Sequence, residues 1–578
     1  MPKSKGTAPD NNHSGNHILL WKHVLKNALD YNGQASLGSV LGKIIGEQPE
    51  LKKDIPVLKK EIEKLILEAK KLSLERLHAE LEKTAPEMLE KKEKKEEERK
   101  LPELQGAVFG KVVLRVAPYP SGPLHMGNAR QVIVNDEYAR LYHGKMLLVI
   151  DDTIGSEEKQ ILPEAYDLIP EGIKWLGVKY REPIIYKSDR LQLYYQYAEE
   201  LINKGKAYVC SCDSETLRKN REEKKDCPHR QQSVKETLNR WKEMFHQPEG
   251  AAALRIRTSM QHPNPAFRDR VTFRICDRQH PRIGKKYRIW PLLDFSWAVD
   301  DHLLGITHVI RGKELMIESD MERYIWEIFG WKPSILIHSG LFAIEGVKLS
   351  KSKAQKEVKS GEYAGWDDPR TWSLQSLKRR GIQPEAVRKF ILNLGLNPNE
   401  IKVPIESLYS ENKKMIEEKA NRYFFVSAPQ KIKIGKAPKQ EVSLDLYPNQ
   451  PERGERKLIT NTDFVITAED FHRLEEGKLH RLMDCLNFRK KKSRLIFDSQ
   501  EHEHFKLAED KGKILHWLPA EGNVKIDLLM PDGQHLSGLG EAGLAKLKEG
   551  AIIQFERVGF VRLDKKEKDK LSFWFAHK

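Results

Sequence analysis

Residues 115–130 combine a proline-stiffened turn with a cluster of side-chain hydrogen-bond donors. They read RVAPYPSGPLHMGNAR, where Gly122 and Gly127 remove side chains at points where a ligand could approach the backbone. A helix that begins after this turn offers unpaired N–H groups and a partial positive charge, and His125 and Asn128 add donors beside it. The pattern favours a site for phosphate or an adenine ring. It differs from a Walker loop because no Gly-Lys-Ser/Thr follows the glycines, and a βα loop with a hydrogen-bonded histidine is the alternative.

A second stretch, far downstream, alternates cations with hydroxyl groups. Residues 346–353 read GVKLSKSK, which places Lys348 and Lys351 beside Ser350 and Ser352 in a loop that follows a glycine. Such a loop is suited to a triphosphate whose charge rises as pyrophosphate departs. A lysine–serine loop alone is usually solvated surface. Together with the proline-rich turn, it indicates an ATP site.

Four potential metal ligands fall in two close pairs. They are Cys210, Cys212, Cys227 and His229. Soft thiolates with an imidazole suit tetrahedral Zn²⁺, and such a site would be structural because four protein ligands leave no open position for catalysis. Reduced, unliganded thiols are the alternative. The remaining cysteines, Cys276 and Cys485, are isolated, and we expect both to pack in cores.

Length and charge limit the class of protein that must position these residues. The chain has 578 residues, so several domains are expected, and its net charge of +16 favours a polyanionic partner such as nucleic acid. The first residues are polar, without the apolar segment typical of a signal peptide, and no apolar run is long enough to cross a bilayer. Five scattered cysteines make no disulfide framework. These features predict a cytoplasmic protein without membrane segments.

The pattern of apolar residues divides the chain into four regions. The first has helical periodicity, and in the second short apolar runs alternate with helical segments. That alternation predicts βαβ units, a parallel sheet and a ligand site beyond the carboxyl ends of its strands. The last two regions are helical and then rich in short strand-like runs, which suggests all-β barrels. The predicted regions are a helical extension (1–105), an α/β domain (106–356), a helical domain (357–425) and a β region (426–578).

Both short motifs resemble known signatures. PLHMGN resembles the HIGH signature of class I aminoacyl-tRNA synthetases, and KLSKS resembles their KMSKS signature. With VIDDT, VDDHLLGITHVIRGKEL and GWDDPRTWSLQSLKRRG, the chain resembles archaeal-type glutamyl-tRNA synthetases, which are close kin of the glutaminyl enzymes, from about residue 106 onward. The resemblance implies a multidomain protein with a Rossmann-like catalytic domain and an insertion at about 190–290 that grips the tRNA acceptor end. A helical linker domain and anticodon-binding β-barrels would follow.

The resemblance also implies roles in binding ATP. His125 and Asn128 would hold the phosphates, and Gly127 would let adenine lie against the backbone. Lys351, helped by Lys348, would stabilise the pentavalent phosphorus and the departing pyrophosphate. The wider ATP site is expected to include Pro118, Gly127, Ser350 and Ser352. Mg²⁺ would accompany the triphosphate.

On the amino-acid side, the resemblance implies a carboxylate-binding arginine. Arg115 matches the family arginine that contacts the side chain of glutamate, and a bidentate guanidinium pair is chemically suited to that contact. Asp151 is similar to the acidic residue that meets the substrate α-ammonium, and Arg311 and Ala117 are expected to line the same pocket. An interdomain salt bridge is the alternative for either arginine.

Three residues depart from the family pattern. Asn128 stands at the fourth HIGH position, where histidine is typical, so it donates a hydrogen bond but takes up no proton. Leu293 stands where many relatives carry a tyrosine that contacts the amino acid, and Tyr119 replaces a smaller polar residue. We therefore expect a differently lined amino-acid pocket.

The implied reaction is the ligation of glutamate to tRNA(Glu), with tRNA(Gln) as a second candidate partner. Glutamate and ATP would form glutamyl-adenylate, and a ribose hydroxyl of the terminal adenosine would then attack the acyl carbon. A glutaminyl-tRNA synthetase on the same scaffold is one alternative, and Arg115 argues against it because it suits a carboxylate better than an amide. An RNA-binding protein that has lost catalysis is the other, and the lysine–serine loop argues against that.

Two basic clusters lie outside the catalytic motifs. LKRRG occupies residues 377–381, and NFRKKKSRL occupies residues 487–495. We expect both to contact tRNA phosphates, which would position the RNA without reading its bases.

Overall fold

The computed structural model describes residues 12–31, 33–89, 101–156, 160–347, 351–492 and 494–578. Contacts divide the chain into two units, Met1–Glu98 and Arg99–Lys578, and the described parts of both contain apolar cores. Among the described residues, no helix combines the length and the apolar composition that crossing a bilayer requires.

In its described residues, the first unit contains four α-helices around one apolar core. Val24, Ile62 and Leu77 are fully buried because apolar residues recur at helical spacing along each helix. The hydroxyl of Ser73 caps the fourth helix by accepting a hydrogen bond from the backbone N–H of Arg76 at 3.3 Å. The helices are α1 (Asn12–Asp30), α2 (Leu37–Glu47), α3 (Ile55–Ala69) and α4 (Leu74–Thr84), with 3₁₀ turns at Pro49–Asp54 and Pro86–Met88.

A parallel sheet begins the second unit. Its first elements are β1 (Val113–Val116), α5 (Met126–Leu141), β2 (Lys145–Ile150), α6 (Ala165–Trp175) and β3 (Arg181–Tyr186). β1 pairs with β2 and β2 with β3, both in parallel. Most residues of β1 and β2 are apolar and buried. The predicted βαβ unit is confirmed.

An antiparallel sheet interrupts this parallel arrangement. Its strands pair in the order β4, β5, β6, β7, and Trp241, Phe273 and Trp290 are fully buried in the core beside them. The elements are α7 (Leu191–Asn203), β4 (Ala207–Cys210), α8 (Ser214–Glu222), α9 (Val234–Met244), β5 (Ala253–Ile256), β6 (Val271–Ile275) and β7 (Ile289–Pro291).

The chain then returns to the parallel layer. The new elements are α10 (Leu293–Leu303), β8 (His308–Gly312), α11 (Met316–Phe329), β9 (Ile335–Ser339), β10 (Phe342–Ile344) and α12 (Lys351–Lys359). β8 pairs with β9 in parallel. The backbone N–H of Thr307 donates to the carbonyl of Val113 at 2.9 Å, so β8 continues the layer beside β1.

A helical region follows, as its periodicity predicts. It contains α13 (Leu374–Arg380), α14 (Pro384–Leu394), β11 (Ile401–Val403) and α15 (Glu406–Ile416). β11 pairs in parallel with β10, which ties this region to the α/β region before it.

The remaining chain is predominantly β-structure, which confirms the predicted all-β region. Its described strands form two seven-stranded sheets, in the orders β12-β25-β26-β27-β23-β24-β13 and β21-β18-β19-β20-β14-β17-β22, and the pair β15-β16. The elements are β12 (Arg422–Tyr423), β13 (Phe425–Ser427), β14 (Pro429–Gly435), β15 (Gln440–Asp445), β16 (Glu455–Thr460), β17 (Asp463–Thr467), α16 (Ala468–His472), β18 (Leu479–Leu482), β19 (Leu486–Lys491), β20 (Arg494–Ser499), α17 (His502–Leu507), β21 (Lys511–Leu515), β22 (Leu518–Pro519), β23 (Val524–Leu529), β24 (His535–Gly540), β25 (Ile552–Phe555), β26 (Gly559–Lys566) and β27 (Lys570–His577).

The basic cluster LKRRG joins the helical region to the last sheet. Arg380 is fully buried and donates to the carbonyl oxygen of Ala576 at 2.8 Å. Arg379 forms a bidentate pair with Asp564 at 2.7 and 2.8 Å. The prediction that Arg380 contacts tRNA phosphates is therefore wrong, because its guanidinium group is fully buried and bonded to backbone carbonyl groups. For Arg379, whose side chain is 37% exposed, it stays a prediction.

We predict that Leu77→Ala destabilises the first unit by about 2–5 kcal/mol, because it removes a fully buried side chain and leaves a cavity. Leu67→Ala is the matched control, since Leu67 is 61% exposed and its truncation should change stability by less than about 0.5 kcal/mol. The free energy of unfolding is measured by urea titration of a fragment comprising residues 1–98, followed by circular dichroism. Equal losses in the two variants would contradict the described core.

Candidate active site

A cavity of about 740 Å³ opens at the carboxyl ends of β1, β2 and β8. The turn before α5, the first residues of α10 and α11 and one residue of α12 also contribute to its lining. The following residues singled out in the sequence line it: Arg115, Ala117, Pro118, His125, Asn128, Asp151 and Arg311. The fold therefore brings residues that are far apart in the chain to one site, at the edge of the sheet where open α/β folds bind ligands.

His125 and Asn128 form a capping box at the N-terminus of α5. Nδ1 of His125 accepts a hydrogen bond from the backbone N–H of Gly127 at 3.0 Å, and Oδ1 of Asn128 accepts one from the backbone N–H of His125 at 3.2 Å. Because Nδ1 is an acceptor, a neutral His125 carries its proton on Nε2. The amide of Asn128 likewise keeps its N–H donors. Both side chains therefore carry N–H donors, and both line the cavity.

The proline-rich turn is held by residues from the helical region. The backbone N–H of Met126 donates to the carbonyl of Trp372 at 3.2 Å. Gly122 has a φ of +146°, and a Cβ at this position would lie 2.9 Å from the ring of Trp366. The interpretation that Gly122 leaves room for a ligand is therefore wrong, because the Trp366 indole fills that space.

The second motif is only partly within the described residues. Lys348 and Ser350 lie outside them. Lys351 and Ser352 are the first two residues of α12. Gln355 of the same helix lines the cavity that the first motif also lines. The helix that carries the end of the lysine–serine motif therefore reaches the same cavity.

Arg115 lies in the floor of the cavity and is 5% exposed. Its Nε and Nη2 form a bidentate pair with Asp301, with Nη2 at 2.8 Å from Oδ2. Burial opposes the charge of Arg115, but the adjacent Asp301 outweighs it and raises the pKa of the guanidinium. Nη1 takes no part in this pair and remains the nitrogen with which Arg115 can meet a substrate.

Arg311 is bound more completely by the protein. Nη1 and Nη2 contact Glu322 at 2.8 and 2.9 Å, and Nε and Nη2 donate to the hydroxyl of Ser319 at 3.1 and 2.6 Å. Burial raises the pKa of the Glu322 carboxyl, and the adjacent Arg311 opposes this. All three nitrogens of Arg311 are thus engaged within the protein, which makes it a support of the pocket wall.

Asp151 lies beside a lysine that is fully buried. Nζ of Lys187 is 3.3 Å from Oδ2 of Asp151 and donates to the hydroxyl of Ser296 at 2.8 Å. Burial lowers the pKa of Lys187, against the attraction of Asp151. Lys187 approaches Oδ2 without hydrogen-bond geometry, and among the residues that the structure describes none donates a hydrogen bond to this buried oxygen. Asp151 therefore forms an ion pair with Lys187 behind the cavity wall that it lines.

Trp297 lies among these charges. Its ring centre is 4.8 Å from Cζ of Arg115, 5.0 Å from Cζ of Arg311 and 5.2 Å from Nζ of Lys187. Sequence interpretation missed Lys187, Trp297 and Asp301. The acidic pair in VDDHLLG was a usable signal for Asp301, whereas neither spacing nor composition distinguishes Lys187 from a surface lysine.

The residues that depart from the family pattern all line the cavity. Leu293 contributes an apolar surface together with Leu292. Burial and the nearby carboxylate of Asp151 raise the pKa of Tyr119, so its phenol stays protonated. The cavity is therefore lined by Asn128, Tyr119 and Leu293 at three positions where the family pattern has other residue types.

The four predicted metal ligands converge at the end of β4. The Sγ atoms of Cys210 and Cys227 are 3.7 Å apart, and Nδ1 of His229 is 3.5 Å from Sγ of Cys212 and 3.8 Å from Sγ of Cys210. All four ligand atoms lie within 4.8 Å of one another. Zn–S bonds of about 2.3 Å in a tetrahedral site separate the sulfur atoms by about 3.8 Å. The donor set and its spacing therefore fit four-coordinate zinc.

Family models match most of the second unit. The model described as tRNA synthetases class I (E and Q), catalytic domain, matches residues 111–418. Two models described as tRNA synthetases class I (E and Q), anti-codon binding domain, match residues 420–505 and 514–564. The β-rich end of the chain is therefore similar to anticodon-binding domains.

Similarity to curated proteins extends over nearly the whole chain. Proteins named glutamate–tRNA ligase are 44% identical in Pyrococcus furiosus and 40% identical in Methanothermobacter marburgensis, each covering 97% of this chain and 99% of the relative. The one in Methanocaldococcus jannaschii is 42% identical and covers 96% of this chain and 99% of its own length.

Among solved structures, a glutamate tRNA ligase from Elizabethkingia meningosepticum is 20% identical, with a TM-score of 0.40 over 54% of this chain and 71% of that one. A TM-score this low supports no comparison of individual residues. The catalytic-domain match spans more than half of the chain, and the identity to the archaeal relatives extends over nearly its whole length. The chain therefore belongs to the class I tRNA synthetases of the E and Q group, in the family of the archaeal glutamate–tRNA ligases.

Proposed function

We propose that this chain activates glutamate with ATP and transfers it to tRNA(Glu). The observation that carries the proposal is the single cavity in which the capping box of α5 lies together with Arg115 and Asp151. One side of that cavity offers donors for phosphate, and the other offers a cation and an acceptor for an amino acid. The archaeal relatives named glutamate–tRNA ligase support the same activity.

Activation joins the α-carboxylate of glutamate to the α-phosphorus of ATP, and pyrophosphate leaves. The Nε2–H of His125 and the amide of Asn128 lie at the N-terminus of α5, where the helix dipole also favours phosphate oxygens. Lys351 and Lys348, from the second motif, supply the cations that stabilise the negative charge as it moves onto pyrophosphate. Ser350 and Ser352 extend this phosphate site, and Mg²⁺ enters with its substrate ATP.

The amino acid is held by charge complementarity. Nη1 of Arg115 meets the side-chain carboxylate, because Asp301 already occupies the other two guanidinium positions. The α-ammonium is attracted by the carboxylate of Asp151, which lines the same cavity. Arg311, held by Glu322, lines the same cavity and adds a second positive charge beside the amino acid.

Transfer places the terminal adenosine of tRNA over the adenylate, so that a ribose hydroxyl attacks the acyl carbon and AMP leaves. Placement and charge stabilisation supply the acceleration, without a protein nucleophile. The β-rich end of the chain would hold the anticodon at a distance from this site. Because tRNA is charged where proteins are made, the proposal also places the chain in the cytoplasm.

The first prediction from this function concerns the amino acid. With tRNA present, the chain will exchange pyrophosphate into ATP when glutamate is supplied and will not do so with glutamine, because an amide cannot form a charged pair with Arg115. Exchange is measured with the two amino acids in parallel. Exchange with glutamine alone would identify a glutaminyl enzyme, and tRNA binding without any exchange would identify an RNA-binding protein that has lost catalysis.

His125→Asn will separate helix capping from catalysis. Asparagine is also a good N-cap, so the thermal midpoint should stay close to that of the wild type, whereas exchange should fall about 10²- to 10³-fold with the loss of one donor to the phosphates. His125→Ala serves for comparison, since it removes both the cap and the donor. Wild-type exchange in His125→Asn would show that this ring does not contact the reacting phosphates.

We also propose that Cys210, Cys212, Cys227 and His229 hold one structural Zn²⁺ ion. A hydrogen bond with Cys227 lowers the pKa of Cys210 to about 7, which favours the thiolate that zinc requires. When bound, the ion would fasten the start of α8 and the Cys227 turn to the end of β4.

The zinc proposal predicts about one zinc per chain by mass spectrometry of metals, falling to a small fraction of that in Cys212→Ser. Cys485→Ser is the control, because Cys485 is buried in a β-sheet core far from the cluster in sequence and should keep the full metal content. Chelation should lower the thermal midpoint of the wild type and leave that of Cys212→Ser unchanged. A metal content near zero in the wild type would leave the thiols as reduced side chains.

A further inference from the structure

Residues 151–156, after β2, line the cavity without belonging to a helix or a strand. Asp151, Thr153 and Ser156 of this segment contribute to the lining. Such a segment has no neighbouring strand to hold its carbonyl groups, so its position depends on bonds from elsewhere.

Two side chains from the loop between β6 and β7 provide those bonds. Nη2 of Arg278 donates to the carbonyl oxygens of Ile154 and Ser156, both at 2.5 Å. Nε2 of His280 donates to the carbonyl oxygen of Asp152 at 2.8 Å. Alternate carbonyls along the segment are thus bonded to one loop of the antiparallel sheet.

The loop is itself fixed in place. His280 is fully buried, and its ring stacks on Trp290 of β7 with centroids 5.2 Å apart. Nε of Arg278 contacts Sγ of the buried Cys276 at 3.3 Å. The two donors are therefore presented from a packed base, and they lose little conformational freedom when they bind the segment.

The segment is also pressed against the antiparallel sheet. A Cβ at Gly155 would lie 3.2 Å from the carbonyl oxygens of Trp290 and Pro291. Close backbone contact on one side and the Arg278 bonds on the other leave the segment little room to shift. The distance between Asp151 and the substrate thus depends on the antiparallel sheet as well as on β2.

We propose that Arg278 is a positioning residue for the amino-acid half of the cavity. By holding the carbonyls of Ile154 and Ser156, it sets where Asp151 and Thr153 stand, although it belongs to the antiparallel sheet that interrupts the parallel layer. The proposal rests on the proposed function, because it takes Asp151 as the group that meets the substrate. The phosphate side of the cavity is built on α5 and α12, so binding of ATP depends less on this residue.

The test compares wild type, Arg278→Gln and Arg278→Lys in glutamate-dependent pyrophosphate exchange with tRNA present. In Arg278→Gln the KM for glutamate should rise about tenfold or more, while the KM for ATP changes less than about twofold. Arg278→Lys keeps a cationic donor for one carbonyl and should recover part of the loss. Arg288→Gln is the control, since it breaks the bidentate pair with Asp277 in the same loop without touching residues 151–156.

The outcomes separate this proposal from the proposed function. No exchange with glutamate in the wild type would overturn the proposed function. An active wild type with an unchanged glutamate KM in Arg278→Gln would overturn only the role of Arg278, as would equal effects of Arg278→Gln and Arg288→Gln. If Arg278→Gln does not fold, as judged by circular dichroism, His280→Phe decides by the same split between the two KM values, because phenylalanine keeps a ring against Trp290 and cannot donate to the carbonyl of Asp152.

Discussion

The amino-acid half of the cavity depends on three buried cations whose charges are balanced inside the protein. A buried charge is costly unless a partner of opposite sign lies beside it, and removal of one partner leaves the other uncompensated. Arg115 on β1 is balanced from α10, Arg311 on β8 from α11, and Lys187 from the end of β2. These pairs therefore fix how β1, β8, α10 and α11 and the ends of β2 and β3 approach one another. Trp297 fills the space between the cations, and each of them lies close to its ring.

The internal pairing of these cations also explains why Arg115 is better suited than Arg311 to bind a substrate carboxylate. A guanidinium whose nitrogens are all engaged inside the protein contributes mainly shape and charge, because few of its five N–H groups are left to donate. Arg311 is in that position, because Glu322 and Ser319 engage all its nitrogens. Arg115 keeps Nη1 outside its pair with Asp301. The family resemblance treats both as pocket residues, and the geometry adds that more N–H groups of Arg115 than of Arg311 lie outside the internal pairs.

Local sequence patterns were sufficient to predict the helices and strands and to predict that the residues of the first motif lie close together. The βαβ unit follows from periodicity, and His125 and Asn128 lie three positions apart in one turn, so their proximity is already present in the sequence. The pairs around Trp297 could not be predicted, because Arg115 and Asp301 are separated by 186 positions and meet only in the tertiary fold. The prediction that Arg380 in LKRRG contacts tRNA phosphates was wrong for a related reason. A run of cations reads the same whether it faces solvent or, like Arg380, packs fully buried against backbone carbonyls.

Arg380 also connects the two ends of the second unit through direct contacts. Arg380 stacks on Trp372, with Cζ 4.9 Å from the ring centre, and it donates to the carbonyl of Ala576 in β27. Trp372 in turn accepts a hydrogen bond from the backbone N–H of Met126, the first residue of α5. A movement of the last β-strand would therefore strain the start of the helix that presents the phosphate donors. The sheet that contains β27 and the capping box are thus connected by packed contacts through α13.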